Sequence, residues 1–153
     1  MSQPTSQRLL LIACSKSKRT DPGLLPARER YTGGAYHTLN KAEREGVTLP
    51  QVLILSAEFG FLRPTDPIPA YDRTMTAQQV LELEPVLRAQ WAHIVVPLLP
   101  GVTSTLVVMG YTYRSALIRA DALLDLPGLV IALGGLGRQR QQLKDWLRAT
   151  PGG

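Results

Sequence analysis

The chain has 153 residues, of which 44% are hydrophobic and 19% charged, with a formal net charge of +5 and one cysteine. That length suits one domain with a substantial core, and the balance excludes a disordered or membrane-embedded chain. A lone cysteine excludes an internal disulfide framework, no Cys/His cluster has metal-ligand spacing, and the basic charge favours polyanionic partners.

Met1 to Gln7 is polar, lacks the basic-then-apolar pattern of a secretion signal, and is expected to form a disordered tail ahead of one domain over 8–150. No apolar run approaches the length a bilayer helix needs, so a cytoplasmic location is expected. Arg8 to Cys14 reads R-L-L-L-I-A-C, a continuous apolar run that predicts a strand buried on both faces. Pro22 and Pro26 then mark a long loop, and a helix is expected from about Gly34 to Glu45, stopped by Gly46. Gln51 to Ser56 is a second buried strand, followed by a Gly- and Pro-rich loop over Glu58 to Met75 with no expected regular structure. Thr76 is a suitable N-cap for a helix from Ala77 to about Val96, with Pro85 positioned to bend or restart it.

Ser104 to Met109 predicts a third strand, Tyr113 to Leu124 a helix, and Leu129 to Leu133 a fourth strand. Gly134, Gly135 and Gly137 then lead into a basic helix from about Arg138 to Ala149. The alternation predicts a three-layer α/β/α domain around a mostly parallel four-stranded sheet, because parallel neighbours need crossover connections.

Parallel strands gather their carboxyl ends on one edge, where such folds bind ligands. That edge is expected to collect Cys14, Ser15 and Lys18, then Ser56 and Glu58, then Gly110, Tyr111 and Arg114, and finally the glycines before the last helix. Ser15 and the lysines near it form a donor cluster suited to a phosphate or base carbonyl, or else a solvated loop. The spacing of a phosphate-binding P-loop is absent. Cys14 reads as a small buried hydrophobe rather than a nucleophile. Glu58, before Phe59-Gly60-Phe61, is suited to general acid or base work, or to pairing with Arg63 or Arg114. Tyr71, followed by Asp72 in the long loop, stacks on a base or caps the core. Gly135 and Gly137 open a turn through which backbone amides can approach an anion, and Arg138, Arg140 and Lys144 add charge beyond it.

The stretch Gly60-Phe61-Leu62-Arg63-Pro64-Thr65-Asp66 through Tyr71 to Met75 resembles the corresponding stretch of YaaA-like peroxide stress proteins. Cys14-Ser15-x-x-Lys18, Ser56-Ala57-x-x-Gly60-x-Leu62 and Gly110-x-x-Tyr113-Arg114 resemble motifs of small bacterial and phage proteins related to that group. The resemblance implies a core similar to uracil-DNA glycosylases and to the catalytic domain of archaeosine synthase. It implies relatives that bind DNA or act on deazaguanine bases, while this chain is much shorter than full-length YaaA proteins.

These readings lead to an expected enzyme acting on a nucleobase or nucleotide, free or within nucleic acid, by glycosidic, lyase or hydrolytic chemistry and without a cofactor or metal. Ser15, Lys18 and Glu58 are the expected catalytic residues; Ser56, Tyr71, Asp72, Tyr113, Arg114, Gly135 and Gly137 are the expected ligand-binding ones. The alternatives are a non-enzymatic nucleic-acid binder in stress response, working through Arg138, Arg140, Lys144 and Arg148, and a small-metabolite sensor. No membrane partner is expected.

Overall fold

A computed structural model describes residues 7–149. Residues 1–6 of the expected tail, and residue 150 of the expected domain, lie outside the described residues. Gln7 is held: its carbonyl accepts the Thr103 amide at 2.8 Å.

Strand β1 (Arg8–Ala13) runs down the middle of a five-stranded sheet. It pairs in parallel with β3 (Gln51–Ser56) on one side and β6 (Ser104–Val108) on the other, and β7 (Leu129–Ile131) extends the sheet in parallel beyond β6. The far edge beside β3 is β4 (Gly60–Leu62), which is antiparallel. The expected four strands are all present, and the fifth comes from the segment expected to be irregular. Gly60, at φ +76°, turns the chain back so that Phe61 and Leu62 bury against the β3 edge. Three residues between glycine and proline are too few to show a strand period.

The apolar run of β1 divides between two cores by its alternation. Leu9 and Leu11 pack with α3 (Ala77–Gln90) and α4 (Tyr111–Arg119), whereas Leu10 and Ile12 pack with α2 (Gly34–Arg44) and α5 (Leu136–Arg148). Helices therefore cover both faces. The long helix expected from Ala77 to about Val96 keeps α geometry only to Gln90, becoming a π turn over Trp91–Val95 and a 3-10 turn over Val96–Leu98. Pro85 is inside α3 and does not end it. The next helix starts at Tyr111, two residues earlier than expected, and stops at Arg119.

The two long loops at the carboxyl edge are pinned to each other. A two-residue strand β2 (Leu25–Pro26), leading into a single turn α1 (Ala27–Arg30), pairs with β5 (Pro67–Ile68). Arg30 is fully buried, and its partners are backbone carbonyls rather than a carboxylate. One terminal nitrogen donates to Arg19 O at 2.8 Å and Asp21 O at 3.0 Å; the other donates to Gly23 O at 2.8 Å and Ile68 O at 3.2 Å.

Replacing Arg30 by Met strips these carbonyls of donors in a dry setting, an expected loss of about 3 kcal/mol. Urea unfolding will show it as a lower midpoint, with proteolysis starting in the 14–33 and 57–76 loops. An unchanged midpoint would remove the guanidinium from its role as the loop clamp.

Candidate functional site

The chain leaves β1 toward β3 on one side and later returns to place β6 on the other, so a crevice opens at the carboxyl ends of β1 and β6. Its volume is about 450 Å³. Cys14, Ser15 and Lys16 after β1, Met109 and Gly110 after β6, and Tyr113 line it, together with the first residues of α2 and α5.

Three helices begin around this crevice, each capped by a glycine in extended conformation with no side-chain cap: Gly33 for α2, Gly110 for α4 and Gly135 for α5. Their first-turn amides therefore lack the side-chain oxygen that Ser, Thr or Asp would supply. Glycine at position 33 also lets the loop after β1 pack directly on the start of α2, since a Cβ there would stand 2.5 Å from Ser15 Cβ. Arg140 and Lys16 reach the crevice wall, and neither forms an ion pair among the described residues. Oriented amides and free cations give this space a positive potential suited to an anionic group.

Cys14 lies buried against the same crevice, with its Sγ 3.2 Å from the Tyr113 hydroxyl. Burial, then the neighbouring Cys14 sulfur, pushes the Tyr113 phenol well above its ordinary range. Tyr36 donates to Ala13 O at 2.9 Å, fixing the start of α2 to the end of β1.

Beside the crevice stands a chain of hydroxyls. Ser56 is fully buried, and its Oγ accepts from the amides of Glu58 and Phe59, both at 3.1 Å. With both lone pairs used, its proton goes to the Tyr71 hydroxyl at 2.9 Å. The Tyr71 and Tyr31 hydroxyls are hydrogen-bonded in turn, 2.5 Å apart. The Lys18 ammonium sits 4.7 Å from the Tyr71 ring centroid and 6.0 Å from that of Tyr31. Phe59 packs edge-on against Tyr71 at 5.2 Å. Burial raises the Tyr71 phenol well above its usual range and pushes Tyr31 up to about 12.

The structure sorts the expected site residues. Lys18, Ser56 and Tyr71 meet in the hydroxyl cluster, while Ser15 and Tyr113 line the crevice. Ser15 is committed to the backbone, donating to Ser17 O at 2.5 Å and accepting from Gly33 N at 3.1 Å, so it ties the loop to α2. Glu58 is exposed and pairs with Arg73 at 3.6 Å, not with Arg63 or Arg114. Arg73 continues to Gln79 and Glu82 of α3, so the Glu58 carboxylate turns toward the α3 side while Tyr71 packs with the α2 side. Asp72 is exposed outside the crevice, and Arg114 is half-buried in α4 with its Nε unpartnered. Gly135 caps α5, and Gly137 is exposed in its first turn. Arg138 turns toward Leu133 and Gln142, away from Arg140. Lys16, one of the lysines expected beside Ser15, lines the crevice, and Tyr31 and Tyr36 join the site without having been expected there. Tyr31 lies between α1 and α2 where no period marks it, and only the Y-x-x-x-x-Y spacing into α2 hints at the two tyrosines.

The buried phenols set an alkaline limit. They bind protons more tightly folded than unfolded, so their contribution is complete below the ordinary phenol pKa of about 10 and is lost as pH rises toward about 12. Stability measured by urea is expected to fall across that window, less steeply in Tyr31→Phe. A flat profile would contradict the buried hydroxyl chain.

No helix among the described residues is long and apolar enough to cross a membrane, and no group of three or more His, Cys, Asp or Glu there is arranged to hold a metal. No curated protein and no solved structure matches the chain. A family model matches residues 9–148, from the first strand through the last helix and so across every wall of the crevice, and the chain belongs to the family of unknown function DUF6884.

Proposed function

We propose that the crevice binds a nucleotide, free or within a polynucleotide, and that the protein is an enzyme acting on its base. The observation that carries this reading is the make-up of the crevice. A positive rim of glycine-capped helix starts, Lys16 and Arg140 surrounds a floor holding the Cys14 thiol and the Tyr113 phenol. The rim suits a phosphate. The floor suits a flat, partly apolar group with hydrogen-bonding edges, because it pairs apolar wall atoms with one thiol and one hydroxyl.

In this reading the Tyr113 hydroxyl and Cys14 thiol face the reacting part of the base and exchange a proton with it. Ser15 positions the start of α2, and Lys18, seated on Tyr71, contributes positive charge from the neighbouring cluster. Glu58 takes no part, since its carboxylate is directed to Arg73 on the other side. The likeness of the strand-end motifs to YaaA-like proteins, and through them to nucleobase-directed enzymes, supports the same substrate class.

Calorimetric titration with nucleoside monophosphates, nucleosides and free bases tests this. Saturable binding of a monophosphate is expected, weakened about tenfold by Arg140→Ala through loss of a charge-assisted contact and unchanged by Glu58→Gln. Incubation with the bound nucleotide or an oligonucleotide containing it is expected to release or alter the base, more slowly in Tyr113→Phe. No binding at ligand concentrations on the order of 1 mM would overturn the reading. Binding without any chemistry would leave a sensor.

A further inference from the structure

The charges of this protein are divided between its two faces. On the side of α3 and α4 the exposed arginines are paired: Arg73 with Glu58 and Glu82, Arg88 with Glu84 and Asp121, and Arg119 with Glu84, while Arg114 is half-buried and has no acidic partner among the described residues. On the side of α2 and α5, Lys41, Arg44, Arg140 and Lys144 are exposed, and none has an acidic partner among the described residues. The carboxylates nearby are already engaged. Glu45 pairs with Arg148 at 3.1 Å, Glu43 pairs with Arg28 at 3.3 Å, and Asp145 accepts from the Gln141 amide at 2.9 Å. Four exposed cations without acidic partners among the described residues are thus gathered on the α2/α5 surface.

That surface has a direction. The Arg140 side chain lies over Gly34 at the start of α2, so close that a Cβ there would stand 2.6 Å from its Nε. The Arg148–Glu45 pair joins the far ends of the same two helices. The helices therefore run side by side in one direction, with α2 presenting Lys41 and Arg44 and α5 presenting Arg140 and Lys144. Residues three and four apart share a helix face, so each pair forms a row along its helix. Arg140 belongs to both the ridge and the crevice wall, so the ridge leads into the crevice.

We propose that this α2/α5 ridge is a docking track for the phosphodiester backbone of a single-stranded nucleic acid, which it guides so that one nucleotide enters the crevice. A row of separate unpaired cations matches a polymer with one negative charge per residue, whereas a free nucleotide needs only the rim of the crevice. A base stacked within a duplex cannot reach a recess at the end of a sheet, which selects a single strand or an extruded nucleotide. The proposal rests on the nucleotide reading of the crevice and extends it to a polymeric substrate.

Fluorescence anisotropy with labelled single-stranded DNA and RNA of about a dozen nucleotides, beside calorimetry with a monophosphate, separates the two claims. The expected result is tighter binding of an oligonucleotide than of the monophosphate, with log affinity falling linearly against log salt. Lys41→Ala/Arg44→Ala is expected to weaken oligonucleotide binding about tenfold and to reduce the salt slope by about 1.4, leaving monophosphate binding intact. Lys41→Glu/Arg44→Glu is expected to weaken it further, and Arg88→Ala on the opposite face to leave it unchanged. Oligonucleotides binding no tighter than the monophosphate, or indifferent to the Lys41/Arg44 changes, would overturn the track and leave the crevice reading standing. Loss of monophosphate binding alone, with ridge-dependent oligonucleotide binding retained, would instead overturn the crevice reading. Binding to phosphatidylserine vesicles, without oligonucleotide binding near physiological salt, would assign the ridge to a membrane surface and sink the proposal.

Discussion

The complete burial of β1 is the constraint from which the architecture follows. Leu9 to Ile12 are at most 1% exposed, so both faces of the strand and both rows of its backbone groups need partners. Parallel neighbours on either side supply the hydrogen bonds, and α2 with α5 opposite α3 with α4 supply the apolar contact. A central strand flanked by β3 on one side and β6 on the other forces the chain to reverse its direction of winding. The recess left by that reversal is the crevice. It is a consequence of how the core is closed rather than an addition to it.

The second layer of order belongs to the loops. Two connections, 14–33 and 57–76, form much of the carboxyl edge and contain little regular structure, yet they are tightly fixed. Arg30 gathers carbonyls from both, the β2/β5 pair aligns them, and the run from Ser56 through Tyr71 to Tyr31 joins them by side-chain hydroxyls. Such polar devices are effective because they are buried: a desolvated donor without an acceptor costs more than a made bond returns. The same dryness keeps the phenols protonated and seats the Lys18 ammonium on aromatic faces rather than against a carboxylate. Rigid loops around an open recess are what a binding site requires, since ordering them at the moment of binding would consume affinity.

Charge placement completes the picture. The exposed arginines Arg73, Arg88 and Arg119 on the α3/α4 side are each paired with carboxylates, which weakens the long-range field of that side. The unpaired cations of the α2/α5 side and the crevice rim add to one another. Their sum would attract polyanions from a distance, and the recess provides the short-range fit that a field alone cannot.

Much of this was legible in the chain. The runs at 8–14, 51–56 and 104–109 are apolar without alternation, and that pattern alone requires doubly covered parallel strands. The glycines before α5 led into the last helix, and Ser56, Tyr71, Lys18 and Tyr113 could be placed near one edge because strand ends must collect there. The strand β4 was not legible, because three residues between Gly60 and the following Arg-Pro carry no period. Nor was the partner of Glu58, since Arg63, Arg73 and Arg114 are equally available along the chain and only packing brings Arg73 within 3.6 Å. Arg30 shows the same limit: an arginine in a polar loop reads as solvated until the fold closes carbonyls around it. The sequence by itself determined which strands are buried and at which edge the strand ends and their neighbouring residues gather, because hydrophobic pattern acts locally and adds up. The tertiary structure alone decided which side chains meet, because hydrogen bonds and ion pairs depend on a few ångströms between residues far apart in the chain.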